Sequence, residues 1–91
     1  MGPIVWRVVL NAGDRLLITV DQRSNIMLLD RLAHFKFNAG SNYHAAAHAR
    51  DELQAEFLCP RHGDWYVVVE PGSTGSVLVH LEVVGGRPLA A

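Results

Sequence analysis

Residues 59–84 read CPRHGDWYVVVEPGSTGSVLVHLEVV and decide the fold class that the sequence predicts. Two runs rich in β-branched and aromatic residues, Trp65–Val69 and Ser76–Val84, are bounded by proline and glycine, which is the pattern of strand, turn and strand. In the second run Val77, Val79, Leu81 and Val83 share one face, and Ser76, His80 and Glu82 share the other, where Leu78 and Val84 are apolar exceptions. This period of two predicts a strand with one face on a core and the other face in water.

The same alternation predicts strands along the rest of the chain. Ile4–Leu10 and Arg15–Asp21 alternate on either side of a polar turn at 11–14, and a second turn at 21–24 leads into Asn25–Leu29. Residues 53–59 alternate as well, and a proline ends that segment. Six or seven short strands predict an all-β fold, either a single-domain antiparallel β-sandwich of jelly-roll-like form or a small barrel. We expect one domain over 1–91, with an ordered core at 4–84 and a flexible tail at 85–91.

Residues 30–52 interrupt this regularity. Asn38–Asn42 has turn chemistry, and Tyr43–Leu53 is the segment with the strongest helix propensity. Its apolar residues are mostly alanine, so an isolated helix of that length would be marginal in water. We therefore expect a short helical turn or an ordered loop in this region.

Composition limits the function classes. Ninety-one residues can build a modest core without a metal or disulfide, and the single cysteine forbids an internal disulfide. A net charge of -1 gives no bulk electrostatic reason to bind nucleic acid or an anionic membrane. No apolar run reaches the ~20 residues that span a bilayer, and the start of the chain lacks the pattern of a secretory signal. These features predict a cytoplasmic domain, and no motif implies a cofactor.

Histidine and cysteine provide the candidates for chemistry. On a helix, His44 and His48 would share a face and could hold two positions of a zinc ion, but the sequence supplies no evident third ligand. Cys59 could be a nucleophile with His62 as its base. However, Cys59 falls at the inward phase of a strand, which favours a buried structural thiol. We therefore predict no catalytic and no metal-binding residue.

Two surfaces are candidates for binding. The first is a ligand loop within 30–52, where aromatic and basic residues mix: Phe35, Phe37, Tyr43, His44 and His48. Such mixing suits stacking on a small ligand or on single-stranded bases, although the acidic residues beside it argue against nucleic acid. The alternative is that the aromatic side chains pack beneath the loop and close one end of the sandwich.

The second surface is an apolar patch on strand faces that should point outward. It comprises Val5, Val9, Tyr66, Val68, Leu78 and Val84, with Arg7, Glu70, His80 and Glu82 at its rim. Patches of this kind mark contacts with a partner, and its candidate interaction residues are Arg7, Tyr66, Val68, Leu78 and His80. The alternative is that these strands are central and that residues 30–52 cover them.

Several short motifs occur in an order that resembles a known family. They are Ala12-Gly13-Asp14, Asn25–Asp30, Gly40 with Tyr43, and Pro60-x-x-Gly63-x-Trp65 followed by Val67–Val69. Together they resemble the small bacterial domain of unknown function 1883. The resemblance implies a bacterial all-β sandwich, sometimes fused to other modules, and it brings no established activity, cofactor or catalytic residue.

The sequence thus predicts a non-enzymatic interaction module. It would associate with itself as a homodimer, or with another protein, through the apolar patch or the 30–52 region. The alternative is a small-ligand-binding domain that uses the ligand loop. A weaker alternative is an enzyme that depends on a thiol or a metal.

Overall fold

The computed structural model describes residues 3–72 and 77–85, which form five strands and one helix. These are β1 (Ile4–Leu10), β2 (Arg15–Leu29), α1 (Arg31–Asn38), β3 (Ala47–Leu58), β4 (Gly63–Pro71) and β5 (Val79–Val84). All strand pairs are antiparallel within one open sheet, which confirms the predicted all-β antiparallel class. Most of the turn predicted between Trp65–Val69 and Ser76–Val84, the start of the second of these strands at Ser76 and the tail from 86 onward lie outside the described residues.

The fifteen-residue strand β2 organises the sheet. Its first half, Arg15–Val20, pairs with β5 on one side and with the end of β3 on the other. Its second half, Ser24–Leu29, lies between β4 and the start of β3, and β1 extends this part beyond β4. One strand therefore belongs to two groups of neighbours.

The predicted turn at 21–24 is wrong, because the chain continues there as one strand. The polar residues instead mark a bend, where the register of β2 against β3 shifts and β2 exchanges β5 for β4 as its neighbour. Ser24 is buried and its hydroxyl donates to the carbonyl of Gln22 at 2.9 Å. Across the bend, Asp51 of β3 has a positive φ of 54°, as is common at a bulge. Merging two predicted strands leaves five strands in the described residues, not six or seven.

The sequence places a short helical turn or an ordered loop within 30–52, and the structure has a helix there at Arg31–Asn38. The segment with the strongest helix propensity, Tyr43–Leu53, is not helical, because Ala47–Leu58 is strand. The helix begins where the Asp30 carboxylate accepts a hydrogen bond from the Ala33 backbone N–H at 2.8 Å. In β3, Ala47 and Ala49 pack against the core and alternate with exposed residues. Pairing with β2 along this period of two outweighs the helix propensity of alanine.

The main core draws on both halves of β2. Leu16 and Ile18 from the first half lie in one cluster with Ile26 and Leu28 from the second. The other buried members of that cluster are Leu10, Val20, Phe57, Cys59, Trp65, Val67 and Val69. Side chains from both halves of β2 therefore belong to one apolar interior.

A second, smaller core lies on the opposite face of one half alone. Met27, Leu29 and Val68 are buried there beneath Ala33 of α1, and Phe37, Tyr43, Ala45 and Tyr66 pack around them. We call the part formed by β1, β4, Ser24–Leu29 and the start of β3 the covered half, because α1 lies on its outer face. We call the part formed by β5, Arg15–Val20 and the end of β3 the bare half.

Candidate functional site

The N-terminus of α1 is tied to the sheet by one carboxylate. Asp30 caps the helix with one oxygen, and its other oxygen lies 2.9 Å from the guanidinium of Arg61. The hydrogen bond from the Ala33 N–H and the neighbouring Arg61 together hold the pKa of Asp30 below its usual value. Asp30 is therefore an ionised anchor at neutral pH.

Arg61 connects this anchor to the main core. Its guanidinium carbon lies 4.9 Å from the centre of the Trp65 ring, a cation–π contact. Its carbonyl accepts from the Trp65 indole N–H at 3.0 Å and from the Cys59 thiol at 2.9 Å. Cys59 is buried, so the prediction of a buried thiol is confirmed. His62 is exposed and contacts Asn11, with Nδ1 2.7 Å from the amide oxygen.

A shallow recess of about 380 Å³ opens beside Arg61. Its walls combine the first residues of α1 with the turn before β4, namely Asp30, Arg31, Leu32, Arg61, His62, Gly63, Asp64 and Trp65. Charges of both signs line it, and the Asp30–Arg61 pair neutralises two of them. The recess therefore has no net electrostatic preference for an anion or a cation.

The five residues predicted to form a ligand loop do not line a common cavity. Phe37 and Tyr43 pack edge to face at 5.4 Å in the second core, and the Tyr43 hydroxyl lies 3.5 Å from the sulfur of Met27. Phe35, in contrast, is 69% exposed on the outer face of α1. The alternative of aromatic side chains that pack beneath the 30–52 region thus describes Phe37 and Tyr43, but not Phe35.

The two histidines of that loop lie on extended backbone, not on a helix. His44 is exposed in the segment before β3 and lines a small recess of about 110 Å³ with Lys36. His48 is exposed on β3 opposite Met27. The shared helical face on which the zinc hypothesis depended is therefore absent. Within 3–72 and 77–85, no three His, Cys, Asp or Glu side chains are grouped so as to hold a metal ion.

The five candidate interaction residues fall on separate parts of the molecule. Arg7 and Tyr66 face each other across β1 and β4, and Val68 lies two pairs further along, opposite Val5, all in the covered half. The expectation that Val68 lies on an exposed face is wrong, because α1 buries it, and His34 stacks on Tyr66 with ring centres 3.9 Å apart. Leu78 and His80 are exposed beside the bare half, so the predicted single patch does not form.

The outer face of α1 is an apolar surface that the sequence analysis did not identify. Leu32 is 62% exposed and Phe35, one turn later, is 69% exposed. Arg31 and Lys36 stand beside them, and the first turn of the helix contains no acidic residue. We call these four residues the α1 ridge. The spacing of Leu32 and Phe35 could have indicated it, but only once Arg31–Asn38 had been recognised as a helix.

The bare half carries a second surface. Its outer side forms a polar groove of about 360 Å³ along the first half of β2, and His80, Glu82, Gln54 and Glu56 line it with Leu17 and Thr19. Arg15 and Glu56 make an exposed ion pair at 3.4 Å on this face. No helix of the described residues covers the groove.

Comparisons of the chain with protein-family models, with curated proteins and with solved structures found no match. The resemblance to the bacterial domain of unknown function 1883 therefore stays a prediction. No helix in the described part of the chain is both long and apolar enough to cross a membrane.

Proposed function

We propose that this protein is a non-enzymatic interaction domain that binds a partner protein through the α1 ridge. The observation that carries the proposal is the exposure of Phe35 at 69% on a helix whose opposite face is packed against the sheet. Aromatic side chains of this size are the usual anchors of protein interfaces. A helix held in place by its own core offers such an anchor without an ordering cost on binding.

The charges beside the ridge define the partner's chemistry. Arg31 and Lys36 lie next to Leu32 and Phe35, while the carboxylate of Asp30, which precedes the helix, is engaged by Arg61 and by the helix N-terminus. The surface is therefore apolar with a cationic rim. Its complement is a protein surface with an apolar pocket and an acidic rim.

We infer that the two halves form the layers of a β-sandwich, because side chains from both belong to one buried cluster. In that arrangement α1 lies outside the sandwich, on the layer that contains β4. The ridge then points directly away from the domain.

A small-ligand domain is the second candidate, and the recess beside Arg61 favours it. Its volume of about 380 Å³ is within the range of ligand pockets. The recess is nevertheless shallow, and the Arg61 guanidinium, which could bind an anionic ligand, is already paired with Asp30. We rank it below the interaction domain for that reason.

Photo-crosslinking tests the proposal directly. Benzoylphenylalanine at position 35 resembles the native side chain, and position 58 is a matched control, because Leu58 is 65% exposed on the bare half. In extract of the source organism, we expect position 35 to give a discrete adduct with another protein. The double change Arg31→Glu and Lys36→Glu should abolish it. Identical adducts from positions 35 and 58, or none from position 35, would reject the α1 ridge as the binding surface.

A further inference from the structure

Among residues 3–72 and 77–85, strand β5 has one partner and one free edge. It pairs with the first half of β2 and lies beside no other strand of the described residues. The Asp21 N–H donates to the Leu78 carbonyl at 3.2 Å, which fixes the hydrogen-bonding phase of this pair. Because that phase alternates along an antiparallel strand, the N–H and C=O groups of Val79, Leu81 and Val83 point toward the free edge.

The side chains at this edge are large, apolar and incompletely covered. Val79 and Leu81 pack against the main core but are only half-buried, and Val83 is 48% exposed. The corresponding residues at the middle of the sheet are fully buried, among them Ile18 and Val67. At the β3 edge, the half-buried positions are alanines. The core is therefore open at β5 in a way that it is not at β3.

The sequence around Leu81 is symmetrical in its chemistry. Reading outward from Leu81, the positions on either side correspond in polarity: apolar Val79 with Val83, polar His80 with Glu82, and apolar Leu78 with Val84. In an antiparallel pair, the residues directly opposite each other point to the same face of the sheet. A second copy of the strand would thus place valine against valine and histidine against glutamate.

We propose that β5 pairs with β5 of a second copy of this chain, antiparallel and centred on Leu81. The two Leu81 residues exchange backbone hydrogen bonds, and Val79 does so with Val83 of the second copy. On the outer face, His80 lies opposite Glu82 of the second copy, and Leu78 lies opposite its Val84. The interface is two-fold symmetric, so each favourable pair occurs twice.

The other registers and edges are less suitable. The free N–H and C=O groups of β5 find partners only in registers that place the core-facing residues of one copy opposite the core-facing residues of the other. A shift of the centre to His80 opposes two histidines, and a shift to Glu82 opposes two carboxylates. In β1, the symmetrical register sets Arg7 against Arg7, and β3 is interrupted at Asp51 by its bulge and flanked there by charges.

A charge swap tests the proposal on the purified protein alone. His80→Glu sets two carboxylates opposite each other at both symmetric positions, and we expect the dimer dissociation constant to rise about tenfold or more. Exchange of both residues, His80→Glu with Glu82→His, places histidine opposite glutamate again at both symmetric positions and should restore dimerisation. Gln54→Glu is the control, since it adds the same charge to the same outer face but on β3. The readout is the molar mass of the protein, measured by light scattering across a concentration series.

A register test accompanies it. Leu81→Cys places two thiols opposite each other and should form an intermolecular disulfide on mild oxidation, whereas Leu78→Cys, a position that does not face itself, should not. A wild-type chain that remains monomeric at hundreds of micromolar would overturn the proposal. So would a dimer whose dissociation constant is unchanged by His80→Glu, or equal disulfide formation by the Leu81→Cys and Leu78→Cys variants. Because these measurements involve no other protein, their result is independent of whether the α1 ridge binds a partner.

Discussion

In the covered half, Met27 and Leu29 point away from the main core and lie beneath α1, whereas in the bare half the outward residues Leu17 and Thr19 have no helix above them. Both sets belong to one strand. The burial pattern follows the difference, because Ile26–Leu29 is buried without interruption and Arg15–Val20 alternates. A continuous apolar run therefore indicates a strand covered on two faces, and alternation indicates one bare face.

This contrast assigns different roles to the two halves. The covered half supports α1 in a fixed position, so its outward side chains contribute to stability. The bare half has little to bury on its outer face, and its free strand β5 is the place at which another strand can be added. Substitutions of outward-facing strand residues should accordingly affect folding in the covered half and self-association in the bare half.

The largest expected difference comes from one charge placed in each half. Val68→Asp buries a carboxylate with no partner beneath α1, and we expect a loss of about 4 kcal/mol or more in the free energy of unfolding. Thr19 resembles valine in shape but lies on the exposed face of β2, so Thr19→Asp should lower the free energy of unfolding by less than about 1 kcal/mol. Urea denaturation measures both. Equal losses would contradict the division into covered and bare halves.

The Asp30 anchor should have the next largest effect. Asp30→Ala removes the N-cap and the partner of Arg61, with an expected cost of about 1–2 kcal/mol at pH 7. Because folding lowers the pKa of Asp30, its contribution is present above the pKa of the unfolded chain and is lost as pH falls through the lower, folded value. The stabilities of wild type and Asp30→Ala should therefore converge in acid. Asp30→Asn removes the charge but keeps a side-chain oxygen that can cap the helix. If it loses as much unfolding free energy as Asp30→Ala, the whole effect comes from the charge.

The stacking of His34 on Tyr66 should contribute less. His34→Ala removes a parallel contact at 3.9 Å between α1 and β4, and we expect a cost of about 1 kcal/mol. His48→Ala, at an exposed histidine of β3, should change the free energy of unfolding by less than about 0.5 kcal/mol. Thermal unfolding of the two variants side by side would reveal whether the stack supports α1.

The smallest effect should come from the ion pair on the bare face. Arg15 and Glu56 are both more than half exposed in their side chains, and their charged atoms are 3.4 Å apart. Solvent screening leaves such pairs a contribution of roughly 0–0.5 kcal/mol, so Arg15→Ala should be nearly neutral. A loss above about 1 kcal/mol would show that the bare face is more constrained than its exposure implies.

The elements that sequence could predict are those in which local pattern and tertiary partner agree. The sequence predicts Ile4–Leu10 with its observed bounds, because the alternation along this segment matches its pairing with β4. It does not predict strand at 47–53, because alanine favours helix locally, whereas pairing with β2 depends on residues distant in the chain. The cap at Asp30 was present in the sequence as an Asp three residues before Ala33, but the weak alternation of the following residues obscured it.

The candidate site was less predictable for the same reason. Leu78 and His80 are exposed beside the bare half, as alternation predicts. Val68 has the same local pattern, yet it is buried, because only the placement of α1 decides which outward face is covered. The α1 ridge depends on that placement as well, so Phe35 could not be separated from Phe37 by sequence alone.

Amide hydrogen exchange of β5 as a function of protein concentration tests the central claim most directly. We expect the N–H groups of Val79, Leu81 and Val83 to be protected at high concentration and to exchange rapidly on dilution or in His80→Glu, while those of His80 and Glu82 stay protected by β2 in both states. Rapid exchange of the first three at every concentration would mean that the edge of β5 faces water and that no second copy pairs with it.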